Sequence, residues 1–147
     1  MPTVFGYGPD AFRARMFDRI GSCDVLGTAK LDGYVIDFNK PNMKTKEEGF
    51  PNLMEGEGAV FGVLFAMRDK QLEMLEGYFG GYGRQKVTVA PRKEDAPTEA
   101  IAFVARRTGR NLAPSKQNLD LCVQGAEENG FPRDFIEALN GLKPYDE

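Results

Sequence analysis

The stretch LEMLEGYFGGYGRQ, residues 72–85, sets Glu73 and Glu76 close to Tyr78, Phe79 and Tyr82, with Arg84 just beyond. Carboxylates and phenols are common carriers of a proton in acid–base catalysis. They matter more than usual here, because the chain contains no histidine. That removes Ser-His-Asp and Cys-His catalysis and the commonest nitrogen ligand of zinc. Cys23 and Cys122 are far apart and form no CxxC, so they read as reduced thiols. Cys122 falls on an apolar helix stripe without a histidine partner, which argues against a nucleophile. Proton transfer therefore falls to carboxylates, Lys or Tyr, and Glu76 is the obvious candidate. A second glycine turn, VFGYGPD, carries Tyr7, Gly8, Pro9 and Asp10. Neither G-x-x-x-x-G-K-[ST] nor G-x-G-x-x-G occurs, so these glycines do not read as phosphate loops.

The elements that must hold these residues follow from periodicity. PTVFGYG reads as a short strand stopped by glycine and proline. DAFRARMFDRI reads as a helix capped by Asp10, with Phe12, Met16 and Ile20 on one face. CDVLGTAKLDGYVIDFN is β-rich with internal glycines, as two strands or one bent one. KPNMKTKEEGFPN reads as a loop and AVFGVLFAM as a buried strand. DKQLEMLEGYF reads as a helix capped by Asp69. RQKVTVAP and EAIAFVARR are strands around a polar loop, PRKEDAPTE. Ser115 opens a helix with a stripe of Leu119, Cys122, Val123 and Ala126; PRDFIEALNGL is a second, opened by Pro132 and stopped near Gly141. The order implies one α+β domain over residues 1–147: a small mixed, mostly antiparallel β-barrel with flanking helices.

The chain is 147 residues, 41% hydrophobic and 28% charged, with a net charge of −3. Acids and bases are interspersed, so there is no basic face for nucleic acid. No apolar run approaches the roughly 18–20 residues of a membrane helix, and MPTVFGYGPD lacks a signal-peptide pattern. A cytoplasmic location is expected, and no protein partner can be named.

Four separated stretches resemble one family. VFGYGPD with ARMFDR resembles the glycine loop and first helix of the γ-glutamylcyclotransferase-like (AIG2-like) proteins, where the loop usually reads Tyr-Gly-Ser-Asn. GTAKLDGYVIDFNK is similar to their following strands. AVFGVLFAM with LEMLEGYFGGYGRQKVTV is similar to the run around their catalytic acid, and APSKQNLDLCVQGAEENGFPRDFIEAL to their C-terminal helix pair. The resemblance implies a barrel with one pocket and no metal or organic cofactor. It also implies a reaction: the α-amine of a γ-glutamyl compound attacks its own γ-carbonyl, giving 5-oxoproline and a free amine. Holding the substrate folded supplies much of the rate. In the family one glutamate moves the proton, and glycine-loop amides hold the substrate carboxylate.

Against that pattern the chain departs at three places. The family's acid sits in Leu-Asp-x-Tyr-Glu-Gly. Read without a gap, residues 75–80 match and Phe79 takes the place of the acid; read three residues earlier, residues 72–77 match and Glu76 is the acid. At about 100° per residue, Phe79 and Glu76 lie about 20° and 40° from Leu72, so either can face inward. Pro9 and Asp10 replace Ser and Asn: Pro9 removes an N–H, and Asp10 adds a charge that repels a carboxylate by on the order of 1–4 kcal/mol. Asn118 stands where the family often has Tyr. Tyr7, Gly8, Tyr82 and Arg84 complete the expected surroundings. Two kinds of function stay open: a cyclotransferase-type enzyme with an altered substrate or weakened activity, and a non-catalytic small-molecule-binding or protein-interaction module. A small amino-acid-derived or amine ligand is the expected partner.

Overall fold

In the computed structural model, which describes residues 1–92 and 96–146, five strands close into a barrel in the order β1-β3-β2-β4-β5. They are β1 (Thr3–Gly6), β2 (Asp24–Pro41), β3 (Gly49–Ala66), β4 (Tyr82–Pro91) and β5 (Thr98–Ala105). Neighbours pair antiparallel, except at the closure, where β1 meets β5 in parallel through Val4 and Ile101. The helices are α1 (Arg13–Ile20), α2 (Asp69–Glu76), α3 (Lys116–Glu128) and α4 (Arg133–Asn140). This is the expected mixed, mostly antiparallel barrel with flanking helices.

Strand alternation divides the core. Phe5, Leu31, Leu53, Val60, Leu64, Val87, Val89 and Ala102 form one buried cluster drawn from all five strands, filling the barrel. Their neighbours on the other face, such as Val4, Val63 and Phe65, pack with Met16, Leu72, Leu75, Cys122, Ala126 and Ile136 of the helices. At about 25 cal/mol per Å² of apolar surface, each fully buried Val, Leu, Ile, Phe or Met among them contributes roughly 1.5–3 kcal/mol.

Several expectations are corrected. The glycine-containing segment after Cys23 is one bent strand: β2 keeps pairing with β3 across three register shifts, one of them at Gly33, whose φ of +80° an L side chain rarely adopts. β3 begins at Gly49, inside the segment read as a loop, and the loop shrinks to residues 42–48. Gly49 needs its missing side chain, since a Cβ there would collide with the Phe38 backbone. Neither acid caps as expected. Asp10 lies in a 3-10 turn (Gly8–Ala11), and α1 starts later, after Phe12. At α2, the Gln71 side chain accepts from the Arg68 N–H at 3.0 Å, and Asp69 is the first helical residue. Ser115 does cap α3, its Oγ accepting from the Asn118 N–H at 3.0 Å. The polar loop read over residues 91–99 falls partly outside the described residues.

Candidate functional site

The chain leaves β1 through Tyr7 and turns at Gly8, whose φ is +61°. A Cβ on Gly6 would sit 2.8 Å from the Asp10 carbonyl oxygen, so glycine lets the turn fold back on the strand. The turn is clamped from behind by α3: Asn129 Nδ2 donates to the Ala11 carbonyl at 2.9 Å, and Gly125 packs directly on Phe12. Tyr7 is buried and donates its hydroxyl to the Phe103 carbonyl. Tyr82 donates to the Pro51 carbonyl at 2.6 Å. Burial raises both phenols' pKa, so both stay protonated donors.

In front of this turn lies a cavity of about 520 Å³, within the usual size for a small-molecule site. Tyr7, Pro9, Asp10, Phe79, Tyr82 and Asn118, all singled out in the sequence, line it. Gly8 shapes the turn without lining the space. Glu76 does not line it, which corrects the reading that takes this residue as the cavity's acid. Its carboxylate points away, gripped in a bidentate pair by Arg84 Nε at 2.8 Å and Nη2 at 2.9 Å on the exposed surface. That hydrogen bonding holds its pKa below the ordinary range. The helical-wheel comparison fails because α2 ends at Glu76, and Phe79 lies in the turn beyond it. Phe79 stacks on Phe103 (4.5 Å between centroids, 5° between planes) and meets Tyr82 edge-on at 5.0 Å.

Asp10 is not the isolated charge that the sequence implied. It is 7% exposed, with Arg15 Nε 3.7 Å and Arg19 Nη1 3.9 Å from its Oδ1. Two guanidinium groups against one carboxylate leave this wall net positive. Desolvation raises the Asp10 pKa, and Arg19 and Arg15 oppose that rise. Both distances exceed hydrogen-bond length, and Arg15 Nε is a buried donor without a partner among the described residues. Arg19 also lies over the Tyr78 ring at 4.6 Å. A legible signal existed: Arg15 and Arg19 are four apart, on one face of the helix that follows the glycine turn. Glu48, Gln117, Tyr145 and Asp146 also line the cavity and carried no such signal.

A closed five-stranded mixed barrel with a ligand-sized cavity at a glycine turn defines the class, and the comparisons agree. The family model described as the AIG2-like family matches residues 59–139. The chain belongs to this γ-glutamylcyclotransferase-like family. It is 29% identical to a γ-glutamylcyclotransferase of Bos taurus and 27% to that of Homo sapiens, in each case covering 97% of this chain and 79% of the relative. A solved γ-glutamyl cyclotransferase superposes with a TM-score of 0.86 at 25% identity, covering 99% of this chain and 89% of that one. YkqA of Bacillus subtilis shares the fold, with a TM-score of 0.81 at 21% identity over 97% of this chain and 55% of that one.

Proposed function

We propose that this chain is a cyclising lyase of γ-glutamylcyclotransferase type, acting on small γ-glutamyl compounds, with Asp10 rather than Glu76 as the proton carrier. The observation that supports this most is the buried Asp10–Arg15–Arg19 cluster on the wall of a ligand-sized cavity. The net positive wall suits the substrate's α-carboxylate, and the free Arg15 Nε–H is a donor for it. The neutral α-amine attacks the γ-carbonyl carbon. A new N–C bond closes the five-membered ring, and the C–N bond to the leaving amine breaks. Asp10 takes one proton from the attacking nitrogen and returns it to the leaving one, so the carboxylate ends as it began and no water is consumed. A raised pKa suits that double role, because the carboxyl must hold a proton between the two steps.

The test is 5-oxoproline release from γ-glutamyl dipeptides and γ-glutamyl amines. Asp10→Asn should lose at least about 100-fold in kcat, the usual worth of a positioned general base. Glu76→Gln should stay close to the parent. The reverse pattern would return the role to Glu76. A second reading, a binding module without catalysis, is favoured by Phe79 standing in the wall with Glu76 outside. It predicts no release by the parent, together with a higher melting temperature in the presence of γ-glutamyl ligands.

A further inference from the structure

A second cavity lies away from the site described above. It measures about 400 Å³ and shares no lining residue with the first. Ser115, at the start of α3, lines the first cavity, and Gly130, just past the end of α3, lines the second. At 1.5 Å per residue, the 13 residues of α3 hold the two roughly 20 Å apart.

One wall of this cavity is the outer face of the barrel. Lys30 of β2 pairs with Phe61 of β3 on one side and with Ala90 of β4 on the other. Directly paired residues project to the same face of a sheet. Their chain neighbours Leu31, Val60 and Val89 belong to the cluster inside the barrel, so Lys30, Phe61 and Ala90 face outward. Arg92 extends this row past Ala90, its N–H donating to the Thr28 carbonyl at 3.1 Å. The other wall is the turn between α3 and α4, where Phe131 is buried with its ring 5.9 Å from that of Phe61. The hollow opens where small residues stand among large ones, at Ala90 on the strand and Gly130 on the turn.

The polar side of the cavity carries one sign of charge. Among the described residues, Lys30 and Arg92 are the charged groups that line it. Lys30 also pairs with Asp32 at 3.2 Å, an exposed contact of the kind that exchanges readily. Arg92 Nη1 donates to the Asn129 carbonyl at 3.4 Å, which uses one of the five N–H groups of a guanidinium. A Cβ on Gly130 would lie 3.9 Å from the same Nη1, so the glycine leaves room beside the fork.

We propose that this cavity is a second binding site, for a small aromatic carboxylate whose ring packs on Phe61 and Phe131 and whose carboxylate sits between Arg92 and Lys30. Aromatic rings pair favourably edge-to-face or offset, and the planar fork of arginine matches the two oxygens of a carboxylate. The volume falls in the usual range for a small-molecule site. No residue of the cyclising reaction takes part, so the inference stands apart from that reading.

The probes are naphthalene-2-carboxylate and its neutral carboxamide, titrated by calorimetry into the full chain, with melting temperature as the folding control. The parent should bind the carboxylate about tenfold or more tighter than the carboxamide, and the advantage should shrink at high salt. Arg92→Gln combined with Lys30→Gln should bring the two probes toward equal Kd. Ala90→Phe, which fills the hollow from an outward strand position, should abolish binding of both. Arg15→Gln, which alters only the first cavity, should leave the Kd of the carboxylate unchanged. Equal affinity of the parent for the two probes overturns the inference, as does the absence of binding to either. Carboxylate binding that survives Ala90→Phe, or that is lost in a folded Arg15→Gln, places the probe in the first cavity and overturns it as well.

Discussion

The turn after β1 and the turn after α2 each offer a carboxylate beside arginine, and the two have opposite surroundings. Asp10 is buried, its arginines stand at 3.7 and 3.9 Å, and its pKa is raised. Glu76 is exposed, bonded twice at 2.8 and 2.9 Å, and its pKa is lowered. The difference teaches that an arginine neighbour does not by itself define a carboxylate. Two good hydrogen bonds, one to each oxygen, hold the exposed Glu76 as an anion. Looser pairing inside the fold leaves Asp10 able to take up a proton.

The comparison breaks most sharply at Asp10. Its replacement by Asn should lower kcat by about 100-fold or more while the melting temperature stays within a few degrees, a result checked by steady-state assay and calorimetry. Phe79→Ala tests the other turn. Removing a half-buried ring from its stack on Phe103 should destabilise the fold by on the order of 2 kcal/mol in denaturant unfolding, below the full cost for a core Phe.

A pH series sharpens the contrast. With its native pKa raised, Asp10 binds more protons folded than unfolded. Its contribution therefore favours the fold below the ordinary value of about 3.9 and is lost as pH rises through the native value. Glu76 has the opposite sign: its contribution is present above about 4.3 and lost as pH falls through its lowered native value. Subtracting the stability profiles of Asp10→Asn and Glu76→Gln from the parent's should give slopes of opposite sign. The acid limb of kcat/KM should lie above the ordinary aspartate range and disappear with Asp10. The smallest effect is that of Glu76→Gln near neutral pH: an exposed pair screened by solvent, whose loss should be hard to detect at high salt.

Much of this fold was legible because its strongest signals are local. Ser115 caps its helix through a bond to a residue three positions on, and Pro132 opens the next. Each needs only a few residues to be read. The strands β2 and β3 were harder, since bulges at glycines interrupt the alternation that marks a strand. The cavity was half legible. Tyr7, Pro9, Asp10, Tyr82 and Asn118 were found from the glycine turn and the family pattern, and the ungapped alternative put Phe79 there. The direction of Glu76 was not legible, because it depends on where α2 stops and on an arginine in β4. Glu48 was hidden for a similar reason: its burial depends on segments about 65 and 97 residues further along the chain.

Cys122 lies under the glycine turn, 2% exposed, close enough that a side chain on Gly8 would touch its sulfur. Burial also pushes its thiol toward the unreactive protonated form. Cys23 is partly open to solvent, although partial burial and the neighbouring Asp24 raise its pKa too. The molecule thus carries its own chemical clock. A thiol reagent should tag Cys23 first, whereas Cys122 is tagged only when α3 lifts from the turn, so the slow phase counts how often that wall comes apart.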